Sequence, residues 1–261
     1  MPPHYIRAVL LCIDIGNTNT VLATFEGEKL VHSWRVRTEA RSTADELGLM
    51  FRGLLAADNV QLTGVAACST VPMALRSLRT MLTRYYGALP TVILEPGIRT
   101  GVQLAIDNPK EVGSDRVANT LAAYTLYGGP SIVVDFGTST NFDVVSAKGE
   151  YLGGPLAPGI EISVDALAAR AAQLRKVELV RPARVIGKNT VECLQSGVVY
   201  GFAGQVDGLV RRITAELGGK VAAVVATGGL ASVVLDDCAT VTHHEPMLTL
   251  IGLRLIFERN A

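Results

Sequence analysis

Two short stretches rich in small polar residues have the composition of phosphate-binding loops. "DIGNTNT" (Asp14–Thr20) and "DFGTSTNFD" (Asp135–Asp143) each follow an apolar run and begin with an acid and a glycine. Small residues let backbone N–H groups approach phosphate oxygens, and hydroxyl and amide side chains add donors. An acid at each strand end could hold cations that neutralise phosphate charge. One stretch alone would fit an ordinary hairpin turn equally well, but the pair favours a polyphosphate site.

The elements around the two stretches follow one plan, which predicts a duplicated chain. Each stretch leads into a strand, a turn, a further strand and a helix. The first helix, "STADELGLMFRGLLAAD", has Ser42 or Thr43 as N-cap with Glu46 in capping-box position. In the second half the strand is "YLGGPLA" and the helix is "PGIEISVDALAARAAQL", with Pro158 before its start. Strands alternate with helices elsewhere, so we expect an α/β chain of two similar domains with a cleft.

Composition favours a small partner over a polymer or a membrane. The 261 residues are 49% hydrophobic, and 24 Lys and Arg balance 24 Asp and Glu, so a nucleic acid partner is not expected. No apolar run is long enough to span a bilayer, and the first residues do not read as a signal peptide. Four scattered cysteines predict reduced thiols and a cytoplasmic location. The adjacent His243 and His244 are expected at the surface and not in a metal site.

Two other motifs partly resemble nucleotide-binding sequences. "GKNT" hints at a P-loop, but Pro182 stands where the first glycine is required and Asn189 where Ser or Thr is required. The P-loop interpretation therefore fails. "ATGGLA" (226–231) follows a strand and fits either a surface for adenosine or an ordinary strand-to-helix turn.

Six motifs in order resemble the type III pantothenate kinases, a family within the superfamily of sugar kinases, heat-shock chaperone ATPases and actin. They are "DIGNTNT", "DNPKEVGSDR", "VVDFGTST", "GEYLGGPLAPGIEIS", "VIGKNTVECLQSG" and "LTLIGLRLIFERN", and they cover nearly the whole chain. The resemblance implies an α/β fold of two duplicated actin-like (ribonuclease H-like) domains, residues 1–118 and 119–261. Each would be a mixed sheet flanked by helices, with an ATP cleft between them and the terminal helix packing back towards the first domain.

The resemblance also implies an ATP site with cations. Its phosphate loop would comprise Asp14, Ile15, Gly16, Asn17, Thr18, Asn19, Thr20 and Val21, with Thr138 touching ATP from the second loop. Asp135 would hold a monovalent cation, potassium or ammonium, and Asp14 could bind Mg²⁺ through water. The implied cofactors are thus ATP-Mg²⁺ and the monovalent cation.

The substrate motif implied by the resemblance is "GSDR": Gly113, Ser114, Asp115 and Arg116. Asp115 stands at the position of the proton acceptor, since a primary alcohol that attacks a γ-phosphate needs a nearby carboxylate to take its proton. Arg116 suits an anionic substrate. By itself "SDR" would read as a helix N-cap with a surface ion pair.

A homodimer is also implied, with Thr190 of "GKNT" reaching the site of the other subunit. The alanine-rich helix "ISVDALAARAAQLRKVEL" could form the dimer seam or pack within one chain. The expected function is ATP-dependent phosphorylation of pantothenate to 4'-phosphopantothenate, the first step of coenzyme A biosynthesis.

The chain departs from the family pattern at three places. Ile106 replaces a tyrosine that lines the pantothenate pocket, Ser114 replaces the more usual alanine, and Asn141 lies in a stretch often read as "GTATTFD". Two alternatives therefore remain open: a kinase of another small alcohol, and a catalytically weak protein that senses a ligand and regulates. The three acids Asp14, Asp115 and Asp135 are present, which favours an active enzyme.

Overall fold

The computed structural model describes residues 9–57, 61–170 and 177–261. Asp58, predicted in the first helix, and residues 171–174, predicted in the second, lie outside the described residues. The elements in chain order are β1 Val9–Ile15, β2 Asn19–Glu26, β3 Lys29–Arg37, α1 Ala44–Ala57, β4 Leu62–Ser69, α2 Pro72–Tyr86, β5 Thr91–Ile93, α3 Ser114–Tyr127, β6 Ser131–Phe136, β7 Ser139–Val145, β8 Leu156–Pro158, α4 Ile160–Arg170, α5 Thr190–Glu216, β9 Ala223–Thr227, β10 His243–His244 and α6 Leu248–Glu258.

The chain divides into two compact units. The first comprises Met1–Gly101, Lys110–Ala122 and Thr249–Ala261, and the second comprises Val102–Pro109 and Ala123–Leu248. The first half of α3 and nearly all of α6 therefore belong to the first unit. Among the described residues, no helix has both the length and the apolar character that crossing a membrane requires.

Each unit contains one five-stranded mixed sheet, and the two sheets have the same plan. In the first the order is β3-β2-β1-β4-β5, with β1 antiparallel to β2 and parallel to β4. In the second the order is β10-β9-β6-β7-β8, with β6 antiparallel to β7 and parallel to β9. Thus β6 takes the place of β1, and β9 that of β4. The predicted fold class, a duplicated α/β chain with mixed sheets flanked by helices, is confirmed.

The core of the first unit lies between its sheet and helices α1 and α2. Side chains that alternate along β1 enter it, among them Leu11 and Ile13, and Phe51 and Leu78 meet them from the helices. Helix α1 begins at a capping box: the backbone N–H of Thr43 donates to Oε2 of Glu46 at 2.7 Å, and the N–H of Glu46 donates to Oγ1 of Thr43 at 3.3 Å. The predicted cap is confirmed, with Thr43 in the role.

Helix α5 and strands β6, β7 and β9 form the core of the second unit. Ile132, Phe142 and Val224 come from the sheet, and Val206 and Val210 from the helix. Although it contains four glycines, α5 runs without a break for 27 residues.

The predicted strand "YLGGPLA" is mostly not a regular strand. Only β8 forms, while Tyr151 makes isolated bridges to Leu104 and Val145. Gly153 and Gly154 have φ of +92° and +148°, and a Cβ on Gly154 would overlap the carbonyl of Phe142. This segment still runs alongside β7, because the carbonyls of Pro155 and Gly153 accept from the backbone N–H groups of Phe142 and Val144. Positive φ values at two consecutive glycines interrupt the regular pleat.

Candidate active site

The first loop is the tight turn between β1 and β2. Ile15 pairs with Thr20 across the hairpin, and the N–H of Gly16 donates to the carbonyl of Asn19 at 3.0 Å. Asn17 and Thr18 are exposed at its tip. The carbonyl of Thr18 accepts from the N–H of Thr38, the residue after β3. This hydrogen bond stabilises the turn.

The residues predicted to bind ATP in this loop differ in the exposure of their side chains, and Asp14, Gly16, Asn19 and Val21 are partly buried. The side chains of Ile15 and Thr20 are buried, and Oγ1 of Thr20 lies 2.9 Å from Oγ1 of Thr38. They can therefore contribute only through the backbone. The exposed Asn17 and Thr18 keep side chains that a ligand can reach.

Asp14 lies at the end of β1 beside Cys68 of β4. The two residues are register partners in the parallel pair, and the Cys68 thiol donates to Oδ1 of Asp14 at 3.3 Å. Cys68 belongs to none of the motifs described above. In the sequence, only the stretch "LTGVAACST" points to this residue, because it places a cysteine and polar residues at the end of an apolar run.

Asp115 lies in the first turn of α3. Its Oδ1 accepts from the N–H of Arg116 at 2.9 Å, and the carbonyl of Gly113 accepts from the same N–H at 3.1 Å. Removal from water raises the pKa of the Asp115 carboxyl, while the Arg116 N–H and guanidinium charge oppose that rise. A carboxylate with a raised pKa is a better proton acceptor than an exposed aspartate.

Helix α6 holds α3 in place within the first unit. Gly252 has no side chain where it meets α3, and a Cβ there would overlap the backbone of Ala118. The Thr249 hydroxyl donates to Oδ1 of the buried Asn119 at 2.8 Å. The C-terminal motif "LTLIGLRLIFERN" therefore fixes the helix that carries Asp115.

The second loop joins β6 to β7 and is one residue shorter than the first. Phe136 pairs with Thr140, and the N–H of Gly137 donates to the carbonyl of Ser139 at 3.0 Å. Thr138 is exposed at the tip, and the Ser139 hydroxyl donates to Oδ1 of Asn141 at 2.9 Å. The two sequence motifs have equal spacing, but their turns differ in length.

Two glycines let neighbouring backbone pack against the second loop. Gly228 of "ATGGLA" has φ of +91°, and a Cβ there would lie 2.5 Å from Oδ1 of Asp135 and 2.6 Å from the backbone N of Phe136. A Cβ on Gly159, at the start of α4, would lie 2.6 Å from the carbonyl oxygen of Gly137. The strand end that carries Asp135 is thus enclosed by close backbone contacts.

Asp143, the last residue of the second motif, is a buried carboxylate for which no role is predicted. It pairs with Val133 and lies two residues beyond Asn141, on the same side of β7. In the sequence, the acid at the end of "DFGTSTNFD" is the only feature that points to this residue. Among residues 9–57, 61–170 and 177–261, no group of three or more His, Cys, Asp or Glu side chains could hold a metal ion by itself.

Thr190 and Ile106 both belong to the second unit. Thr190 is the exposed first residue of α5, whose N-cap Asn189 accepts from the N–H of Glu192 at 2.9 Å. Ile106 is half-buried, and its Cγ2 would lie 3.5 Å from a Cβ added to Gly153. Asp14, Ser114 and Asp115 belong to the first unit, and Asp135 and Thr138 belong to the second.

The duplicated mixed sheets and paired hairpin loops define the fold of the actin-like ATPases and sugar kinases. The activator of the 2-hydroxyisocaproyl-CoA dehydratase from Clostridium difficile, solved with bound ADPNP, matches with a TM-score of 0.57 and 14% identity over 96% of this chain and 95% of that chain. A ROK family glucokinase from Streptomyces griseus, in complex with glucose and AMPPNP, matches with a TM-score of 0.51 and 13% identity over 94% and 98%.

The chain belongs to the type III pantothenate kinase family, whose model matches residues 10–212. The type III pantothenate kinase of Salinispora arenicola is 75% identical over 252 residues, which are 97% of this chain and the whole of that protein. Those of Frankia casuarinae and Rhodococcus jostii are 67% and 62% identical over 97% of this chain and 100% and 96% of the relatives. Neither a kinase of another alcohol nor a regulatory protein gains support from these matches.

Proposed function

We propose that this protein transfers the γ-phosphoryl group of ATP to the terminal hydroxyl of pantothenate, which gives 4'-phosphopantothenate and ADP. The observation that carries the proposal is Asp115: a half-buried carboxylate of raised pKa, in the same unit as Asp14, within a member of this family. The hydroxyl oxygen attacks the γ-phosphorus, the bond to the β,γ-bridging oxygen breaks, and the hydroxyl proton passes to Asp115.

Each loop offers a turn that suits contact with an ATP phosphate. The tip at Asn17 and Thr18 and the tip at Thr138 are exposed, and their glycines permit close approach of a phosphate to the backbone. Asp14 would bind Mg²⁺ through water, and Asp135 would hold a potassium or ammonium ion. Since no cluster of three acidic or histidine ligands occurs among the described residues, water and phosphate oxygens would complete each coordination shell. Such cations would neutralise charge on the transferred group.

The substrate would be held at the start of α3. Gly113 and Ser114 lead into the helix, and the Arg116 guanidinium would pair with the pantothenate carboxylate. Ile106 offers an apolar contact where the family pattern has a tyrosine, and its loss of a hydroxyl lowers the number of donors without removing the surface.

A homodimer would complete the site with Thr190 of the partner. Thr190 lies beside exposed apolar side chains: Val185 is 66% and Ile186 72% accessible, and Val191 follows it in α5. Leu156, Ile162 and Leu167 on β8 and α4 are also exposed. Apolar side chains that remain exposed in one chain indicate a surface that a second chain covers. We place the enzyme in the cytoplasm, where its four free cysteines remain reduced.

The proposal is tested by identifying the product. Purified protein, ATP and Mg²⁺ are incubated with pantothenate or with a panel of other small primary alcohols, in potassium or sodium buffer. Mass spectrometry should detect phosphopantothenate, more of it with potassium. Phosphorylation of another alcohol in preference to pantothenate would contradict the proposed substrate.

A further inference from the structure

Cys68 occupies a central position in the first unit that the reaction described above does not explain. Its side chain is fully buried at the end of β4, where parallel pairing places it beside Asp14. The thiol donates to Oδ1 of Asp14 at 3.3 Å, a normal length for a sulfur donor.

The same sulfur is also tied to helix α3. The Ser114 side chain is hydrogen-bonded to Cys68, and the charge of the next residue, Asp115, acts on the thiol. Strand β1, strand β4 and helix α3 therefore meet at one atom. The chain of contacts runs from Ser114 through the Cys68 sulfur to the Asp14 carboxylate.

We propose that Cys68 is a positioning residue that couples the phosphate loop to the helix carrying the proton acceptor. The proposal rests on the proposed function, because it assigns Asp14 to ATP and Asp115 to the substrate hydroxyl. Phosphoryl transfer requires the phosphate loop and the proton acceptor to be held in a fixed relative position, because a small misplacement lowers the rate strongly. The Cys68 sulfur maintains this relative position through its hydrogen bonds with Asp14 and Ser114.

A cysteine suits this position because it can serve both neighbours at once. The thiol is fully buried and lies 3.3 Å from an oxygen of Asp14, so the sulfur keeps a proton to donate. The sulfur can still accept from the Ser114 hydroxyl. Cys68→Ala would remove the hydrogen bonds with Asp14 and Ser114. Cys68→Ser would keep a donor and an acceptor there, although the serine side chain is shorter.

The test compares the kinetics of Cys68→Ala and Cys68→Ser with a matched control, Cys12→Ala. Cys12 is equally buried, two residues before Asp14 on β1, and the groups that act on it are Arg254 and Glu258. Cys68→Ala should lower kcat about tenfold, the scale of one lost hydrogen bond to a charged group, with both KM values changed less than about twofold. Cys68→Ser should recover most of kcat, and Cys12→Ala should stay within about twofold of the wild type.

Two results would overturn the proposal. If Cys68→Ala is as active as Cys12→Ala, the sulfur does not position the site. If Cys68→Ser and Cys68→Ala lose the same activity, the sulfur serves packing alone. A double-mutant cycle adds Ser114→Ala: because both substitutions break one bridge, their combined loss should be smaller than the product of the single losses.

A readout that needs no substrate separates this proposal from the proposed function. In Cys68→Ala, hydrogen exchange at the backbone N–H groups of Arg116 and Val117, which bond to the Gly113 carbonyl, should become faster, and in Cys12→Ala it should not. Absence of phosphopantothenate with the wild type would refute the function and leave this comparison valid. Unchanged exchange in Cys68→Ala would refute the coupling even in an active enzyme.

Discussion

Gly113 leaves open the space that the Asp115 carboxylate occupies: a Cβ on Gly113 would overlap Oδ1 of Asp115. The carboxylate folds back over the start of its own helix, where it accepts from the N–H of Arg116. The glycine is therefore part of the arrangement that aims the proton acceptor.

Gly113→Ala should lower kcat at least about tenfold, because the added methyl group must displace the Asp115 carboxylate from its place at the helix start. Steady-state kinetics with pantothenate measures the loss. The matched control is Gly53→Ala in α1, where an added Cβ meets nothing within 4 Å. That control should keep full activity and gain about 0.5–1 kcal/mol of stability from the better helix former. Equal activity of the two variants would show that Gly113 does not set the carboxylate position.

Asp115→Asn should be more stable than the wild type at neutral pH. Because burial raises the Asp115 pKa in the folded state above its ordinary value of 3.8, the folded protein binds a proton that the unfolded chain has released. Wild-type stability therefore falls as pH rises through the window between those two pKa values, and the amide variant avoids this loss.

Thermal unfolding across a pH series measures this effect. The advantage of Asp115→Asn should be fully present above the folded-state pKa, should shrink as pH falls from that pKa towards 3.8, and should be absent below 3.8, where both states are protonated. The exposed Asp236→Asn serves as the control for the loss of one carboxylate. A lower unfolding temperature for Asp115→Asn at neutral pH would contradict the environment assigned to this carboxyl.

Gly228→Ala should destabilise the second unit more than Gly218→Ala. Both glycines have positive φ, +91° and +89°, so both variants lose about 1 kcal/mol from backbone strain. At Gly218 the added Cβ meets nothing within 4 Å, whereas at Gly228 it presses on Asp135 and Phe136. Denaturant unfolding should show the larger loss at Gly228, and ATP affinity should fall with it alone. Equal losses would mean that the contact with Asp135 is unimportant.

Three of the four thiols should resist modification in the native protein. Cys12, Cys68 and Cys238 are buried, and burial raises the pKa of each thiol, to about 12 for Cys238. A thiol must ionise to react, so a disulfide reagent at mildly alkaline pH should modify at most the exposed Cys193. All four should react in denaturant. Rapid reaction of two or more thiols in the folded protein would contradict the burial of these side chains.

Mixing two inactive variants tests the shared site of the proposed dimer. Asp115→Asn removes the proton acceptor, and Thr190→Glu places a charge at the residue offered to the partner. A mixed dimer contains one intact site, so random exchange should restore roughly a quarter of the sites. Activity that returns after the two proteins are unfolded and refolded together supports the arrangement. If Thr190→Glu is fully active alone, Thr190 does not take part.

The sequence predicted the element order well because hydrophobic periodicity is a local property. The β1–β2 and β6–β7 hairpins and the capping box at Thr43 all follow from patterns of a few residues. The regular strand expected at residues 151–157 was wrong, since the backbone at Gly153 and Gly154 depends on contact with β7. The sequence also did not predict that the turn at Gly137 is shorter than the turn at Gly16, because motif spacing does not determine which residues pair across a hairpin.

The candidate site was predicted only as separate pieces. The acids Asp14 and Asp115 could be named from their motifs, but their common neighbour Cys68 is 54 residues from Asp14. It meets Asp14 only because β4 pairs with β1 in parallel, and that register is a tertiary property. Likewise, the raised pKa of Asp115 depends on burial that no local pattern specifies.

The most direct test of the central claim is the amount of phosphopantothenate formed from ATP and pantothenate by the wild type, Asp115→Asn and Asp236→Asn, measured by mass spectrometry. Our account predicts product from the wild type and from Asp236→Asn, and a loss of about 10²- to 10⁴-fold with Asp115→Asn, from a protein that remains folded. Product formation by Asp115→Asn at the wild-type rate, or none by a folded wild type, would contradict it.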